Sequence, residues 1–81
     1  MPNTPEPLSA ATAEFGKRVR HYRQERGLTQ EGLASLSGLH WTFVGQVERG
    51  RRNLTLHNII KLAAALEVDA GELVKDLPDP R

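Results

Sequence analysis

The chain has 81 residues, no cysteine and a formal net charge of +1 at pH 7. That length supports one small domain burying about 60% of its unfolded surface, and leaves little room for a deep catalytic cleft. Without cysteine there is neither a disulfide framework nor a thiolate metal site. The start "MPNTPEPLSA" lacks the basic opening and apolar run of a secretory leader, and no stretch reaches bilayer length. A cytoplasmic protein without a membrane segment is the expectation.

In chain order, "MPNTPEP" holds three prolines and few apolar groups, so residues 1–8 read as an extended tail. Ser9 or Thr12 can cap a helix running to about Arg26, with Phe15, Val19 and Tyr22 recurring on one face. Gly27 supplies a left-handed stop. Thr29 then caps a helix over Gln30 to Ser37, with Leu33, Ala34 and Leu36 expected to face inward. Gly38 breaks the chain, and a third helix is expected from Trp41 to about Arg49, stopped by Gly50.

Thr55 caps the clearest amphipathic helix, whose stripe is Leu56, Ile59, Leu62, Ala63 and Leu66. Asp69 with Glu72 has the D-x-x-E spacing of a capping box, opening a last short helix that carries Leu73, Val74 and Leu77. "LPDPR" ends it, leaving residues 78–81 as a second tail. No segment alternates with period two. The expected class is all-α, with five helices in one domain over residues 9–77.

The near-neutral total conceals segregation. Between Lys17 and Lys61 there are nine Lys or Arg and three acids, whereas the two ends are net acidic. Five cations fall in "KRVRHYRQER" and three in "RGRR", a pattern that suits a polyanion partner. Residues 30–49 also fit a helix–turn–helix unit. Ala34 falls where two helices pack closely, Gly38 in the turn, and Leu33, Leu39, Val44 and Val47 at buried positions. On a helical wheel centred on Val44, the residues Thr42, Gln46 and Arg49 point the opposite way, with Gly45 between them and the Trp41 edge. Glutamine can bond adenine bidentately and threonine can touch a thymine methyl or an acceptor.

The stretch "RQERGLTQEGLASLSGLHWTFVGQVERGRRNLTLHNIIKLAAALEV" resembles the bacterial and phage repressor family of lambdoid repressors, Cro-like proteins and XRE-type regulators. Its "TFVGQVERGRRNLTL" portion is most similar to restriction–modification controller proteins. The resemblance covers roughly Phe15 to Leu77 and implies a lambda-repressor-like domain that binds double-stranded DNA at a pseudo-palindromic operator, as a homodimer and without a cofactor. It carries base-reading roles to Trp41, Thr42 and Gln46. Gln30 matches a position that clamps the sugar–phosphate chain, and Phe43, Arg49, Arg51, Arg52 and Asn53 are assigned to the neighbouring backbone. Three positions depart from the family pattern: Gly32 in place of a capping glutamate, Gly45 in place of a polar residue, and a bulky Trp41.

Arg23 and Glu48 each lie about 40° off their apolar stripes, so both are expected to be partly buried and to pair. The family match implies the same pair. Arg18, Arg20 and Arg26 are read as general positive field. Ile60, Leu73, Val74 and Leu77 are the candidate dimer face. His21, His40 and His57 fall on separate elements without metal-ligand spacing, so neither an enzyme nor a metal site is expected. The alternative reading is an antitoxin-like or adaptor module with a protein partner.

Overall fold

The structure, a computed structural model, describes residues 6–81; the part of the expected tail over residues 1–5 lies outside the described residues. Five helices follow in order: α1 Ala10–Glu25, α2 Gln30–Ser37, α3 Trp41–Glu48, α4 Leu56–Leu66 and α5 Ala70–Val74. Among the described residues there is no strand. No helix among them is long and apolar enough to cross a membrane.

Short polar side chains and left-handed glycines set these boundaries. Ser9 opens α1 in a reciprocal capping box with Thr12, Thr29 accepts from the Gly32 amide at 2.9 Å, and Thr55 from the Asn58 amide at 3.2 Å. Gly27, Gly38 and Gly50 all take positive φ where α1, α2 and α3 end. The start of α5 differs from expectation. Neither half of the capping box forms: the Glu72 amide donates to the Asp69 main-chain carbonyl at 2.8 Å rather than to the Asp69 side chain, and the Glu72 carboxylate accepts from the Tyr22 hydroxyl at 3.3 Å. Burial, with that carboxylate beside it, holds the Tyr22 hydroxyl above its ordinary range.

One core joins all five helices: Phe15 and Val19 of α1, Leu33 and Ala34 of α2, Val44 and Val47 of α3, Leu62, Ala63 and Leu66 of α4, and Leu73 of α5. Two apolar residues expected inside lie outside. Leu36 is exposed because Leu33, Ala34 and Ser37 form the buried stripe of α2, roughly 100° away on the helix. Ser37 is satisfied there by the Ala34 carbonyl at 3.2 Å. Leu56, the first residue of α4, is exposed too, roughly 70° from the centre of the buried Leu62, Ala63 and Leu66 stripe.

The contact that aims α3 is between α1 and α3, and Gly16 makes it close. A Cβ at Gly16 would overlap the main-chain carbonyl oxygens of Val47 and Glu48, the latter at 2.7 Å. Nothing in the helical periodicity of α1 announces this glycine; only a partner backbone requires it.

Candidate nucleic-acid interface

With Val44 and Val47 buried where α3 packs on α1 and α2, the opposite face of α3 is left to solvent. The helix begins at His40, whose Nδ1 accepts from the Thr42 amide at 3.1 Å. This cap brings the His40 ring against Trp41, stacked at 5.9 Å between centroids. Trp41 remains 55% exposed, and Thr42 beside it is exposed as well. A large aromatic and a hydroxyl thus stand together at the N-terminal end of α3.

One turn on, Gln46 is half-buried and does not stand alone. Its Oε1 accepts from Arg52 Nε at 2.7 Å, and the Arg52 guanidinium lies 5.2 Å from the centre of the Phe43 ring. Phe43, Gln46 and Arg52 form one cluster, which helical spacing could not disclose because Arg52 lies beyond the stop at Gly50. Gly45 is buried beneath the side chains of Gln30 and Arg49, so it lies nearer the α2 junction than the wheel suggests. A Cβ there would come within 3.3 Å of an Arg49 guanidinium nitrogen.

Behind this face a polar network fixes the helix. Arg23 Nε donates to Glu48 Oε2 at 2.6 Å, and Arg23 also donates to the Leu28 carbonyl at 2.9 Å. The side chains of the pair are 13% and 4% exposed. Gln30 Nε2 donates to Glu48 Oε1 at 3.0 Å, so α2 joins the same network from its first residue. Burying such charges is costly unless each is fully bonded. Among the described residues no buried side-chain nitrogen or oxygen lacks a partner.

The cations divide into two groups. Arg49 and Arg52 are exposed beside α3 with Asn53 next to them. Arg51 donates to the Glu6 carbonyl, and the Leu8 amide donates to the Gly50 carbonyl at 2.9 Å, so residues 6–8 are held across the end of α3. Of Arg18, Arg20 and Arg26, expected only to contribute field, two make specific bonds: Arg18 reaches the Lys75 carbonyl and Glu14, and Arg26, at the end of α1, pairs with Glu67. Among the described residues there is no cluster of three or more His, Asp or Glu that could hold a metal ion.

Of the four residues expected at an interface between copies, Leu73 does not belong there, because it is fully enclosed by its own chain. Ile60 and Val74 are exposed and Leu77 is half-buried. Val74 and Leu77 line an open apolar groove with Phe15, Leu54 and Ile59, which Arg52 and Asn53 border.

This geometry agrees with the comparisons. The helix–turn–helix family profile matches residues 19–73, spanning most of the chain and all of α2 and α3. The chain belongs to the helix–turn–helix family of transcriptional regulators. Control protein C.SmaI of Serratia marcescens is 48% identical over 60 residues, which cover 74% of this regulator and 71% of that protein. The crystal structure of the restriction–modification controller protein C.AhdI from Aeromonas hydrophila superposes with a TM-score of 0.77 at 53% identity, covering 79% of this chain and 97% of that one. A structure of the biofilm master regulator SinR in complex with DNA matches with a TM-score of 0.73 at 27% identity, over 75% of this regulator and 98% of that chain. The regulator is therefore a non-enzymatic DNA-binding protein of the XRE type, similar to restriction–modification controllers.

Proposed function

We propose that this regulator binds a pseudo-palindromic operator as a dimer, with α3 lying in the major groove. The observation that carries the reading is the exposed Trp41–Thr42 end of α3, flanked by Gln46 and by exposed arginines. In helix–turn–helix proteins that end of the second helix meets base edges. Trp41, Thr42 and Gln46 read bases, with the indole packing on a thymine methyl or a sugar. Gln30 at the positive start of α2, with Phe43, Arg49, Arg51, Arg52 and Asn53, grips the backbone on either side. The Arg23–Glu48 pair reads nothing; it sets the angle at which α3 leaves the domain.

A single domain with so few base contacts binds weakly, and the exposed apolar residues Ile60 and Val74, with Leu77, offer a two-fold contact. Two copies joined there place two α3 helices about one DNA turn apart, roughly 34 Å. Selection of bound sequences from random DNA, with affinity followed against salt, tests the reading. Two inverted half-sites and a steep negative salt slope are expected. Gln46→Ala and Trp41→Ala should relax the motif at particular positions, while Arg51→Ala lowers affinity evenly and reduces the slope by about one. A motif unchanged in both Gln46→Ala and Trp41→Ala rules out base reading by this face. A strictly monomeric protein at high concentration, by light scattering, rules out the dimer.

A further inference from the structure

We propose that Arg52 sets the base preference of Gln46, turning its carboxamide into a donor that selects guanine over adenine. This rests on α3 reading base edges, and it names the edge that one of its residues reads. Arg52 Nε–H donates to Gln46 Oε1 at 2.7 Å while its guanidinium is seated on the Phe43 ring. Phe43 and Gln46 are three residues apart on α3, so ring and carboxamide are neighbours on one face. The cation is therefore held from two sides.

The chemistry of the groups fixes the orientation. A guanidinium carries donors only, so the carboxamide atom facing Arg52 must be the oxygen. Flipping the amide would set two donors against each other. The free –NH2 of Gln46 then occupies the other arm of the carboxamide.

Bidentate reading of adenine requires the glutamine oxygen to accept from the N6 amino group while its nitrogen donates to N7. Here that oxygen is already bonded to a cation, whose charge repels a second incoming N–H donor. The guanine edge presents O6 and N7, both acceptors. It suits a free –NH2 with positive charge behind it. Arg52 acts through Gln46 as a positioning residue and needs no base contact of its own.

The experiment takes the selected operator and places all four base pairs in turn at each half-site position. Binding is measured for the full chain, Gln46→Ala, Arg52→Ala and Arg52→Lys. At the position whose preference collapses in Gln46→Ala, the wild type should favour guanine over adenine by at least about fivefold. Arg52→Ala should move that ratio toward adenine by a similar factor, with preferences at other positions retained. Arg52→Lys keeps the charge without the planar fork, so its salt slope should match the wild type while its ratio shifts. Adenine favoured by the wild type at that position overturns the proposal, as does a ratio unchanged in Arg52→Ala or a Gln46→Ala protein with the wild-type motif. Each of those results leaves sequence-specific binding standing. A wild type that binds every sequence alike removes base reading by α3, and this proposal with it.

Discussion

Two arginines near the end of α1, three residues apart, each reach a glutamate on another part of the chain. Arg23 meets Glu48 at 2.6 Å and Arg26 meets Glu67 at 2.7 Å. The chemistry and the distance are almost the same, but the surroundings are not. The first pair is 13% and 4% exposed and is closed by Gln30 and the Leu28 carbonyl; the second is 35% and 70% exposed. A pair in water gains little beyond its own side-chain entropy cost. A buried one constrains strongly, because losing one partner strands the other away from solvent. Arg23–Glu48 therefore ties the end of α1 to the end of α3, whereas Arg26–Glu67 lies on the surface where α4 ends.

The largest effect expected from that contrast follows Glu48→Ala. Removing this carboxylate leaves Arg23 and the Gln30 amide unmatched, and should cost roughly 3 kcal/mol or more in chemical denaturation. A double-mutant cycle with Arg23→Ala should show coupling above about 1 kcal/mol; coupling near zero would break the comparison. Gly16→Ala tests the backbone contact beside the same pair. Overpacking costs up to about 3 kcal/mol, and the helix-propensity gain of about 1 kcal/mol offsets part of it, leaving a loss of about 2 kcal/mol. A more stable Gly16→Ala protein would mean that α1 and α3 can move apart freely.

The smallest effect belongs to Glu67→Gln. The hydrogen bond from Arg26, reinforced by its charge, holds the Glu67 carboxyl below its ordinary value of 4.5. With the folded value depressed, the contribution is present above the unfolded value and is lost as pH falls through the folded one. The melting temperatures of wild type and Glu67→Gln should therefore differ slightly near neutrality, begin to converge as pH falls past 4.5, and coincide once it is below the depressed folded value. A difference that persists in acid would assign it to the left-handed backbone at Glu67, φ 58°, rather than to the ion pair.

The helix boundaries were legible because caps and stops are local. Ser9, Thr29, Thr55, Gly27, Gly38 and Gly50 act within a few residues of themselves, and the structure uses each as the residue type suggests. Legibility failed where a side chain had a distant competitor. Glu72 has the spacing to cap α5, yet faces Tyr22, fifty residues back. Gly16 matters only because another backbone runs against it. At the interface, the wheel gave the outward side of α3 but not the Arg52–Gln46 bond, which crosses the helix stop and follows no period. Leu73 went to the core rather than to a partner because a five-residue helix has few other ways to anchor itself.

Gly50 carries one more consequence. Its φ of +75° ends α3, and the space around it is taken: an added Cβ would lie 2.9 Å from the Ala13 Cα and 3.0 Å from the Pro7 Cβ. Helix stop, first turn of α1 and the segment ahead of it meet at one point. α3 is thus a stylus of fixed length, with no room at Gly50 to wind on by another turn. If α3 reads bases as proposed, a change of target sequence has to be written in side chains at its tip and flank, while its main chain stays as it is.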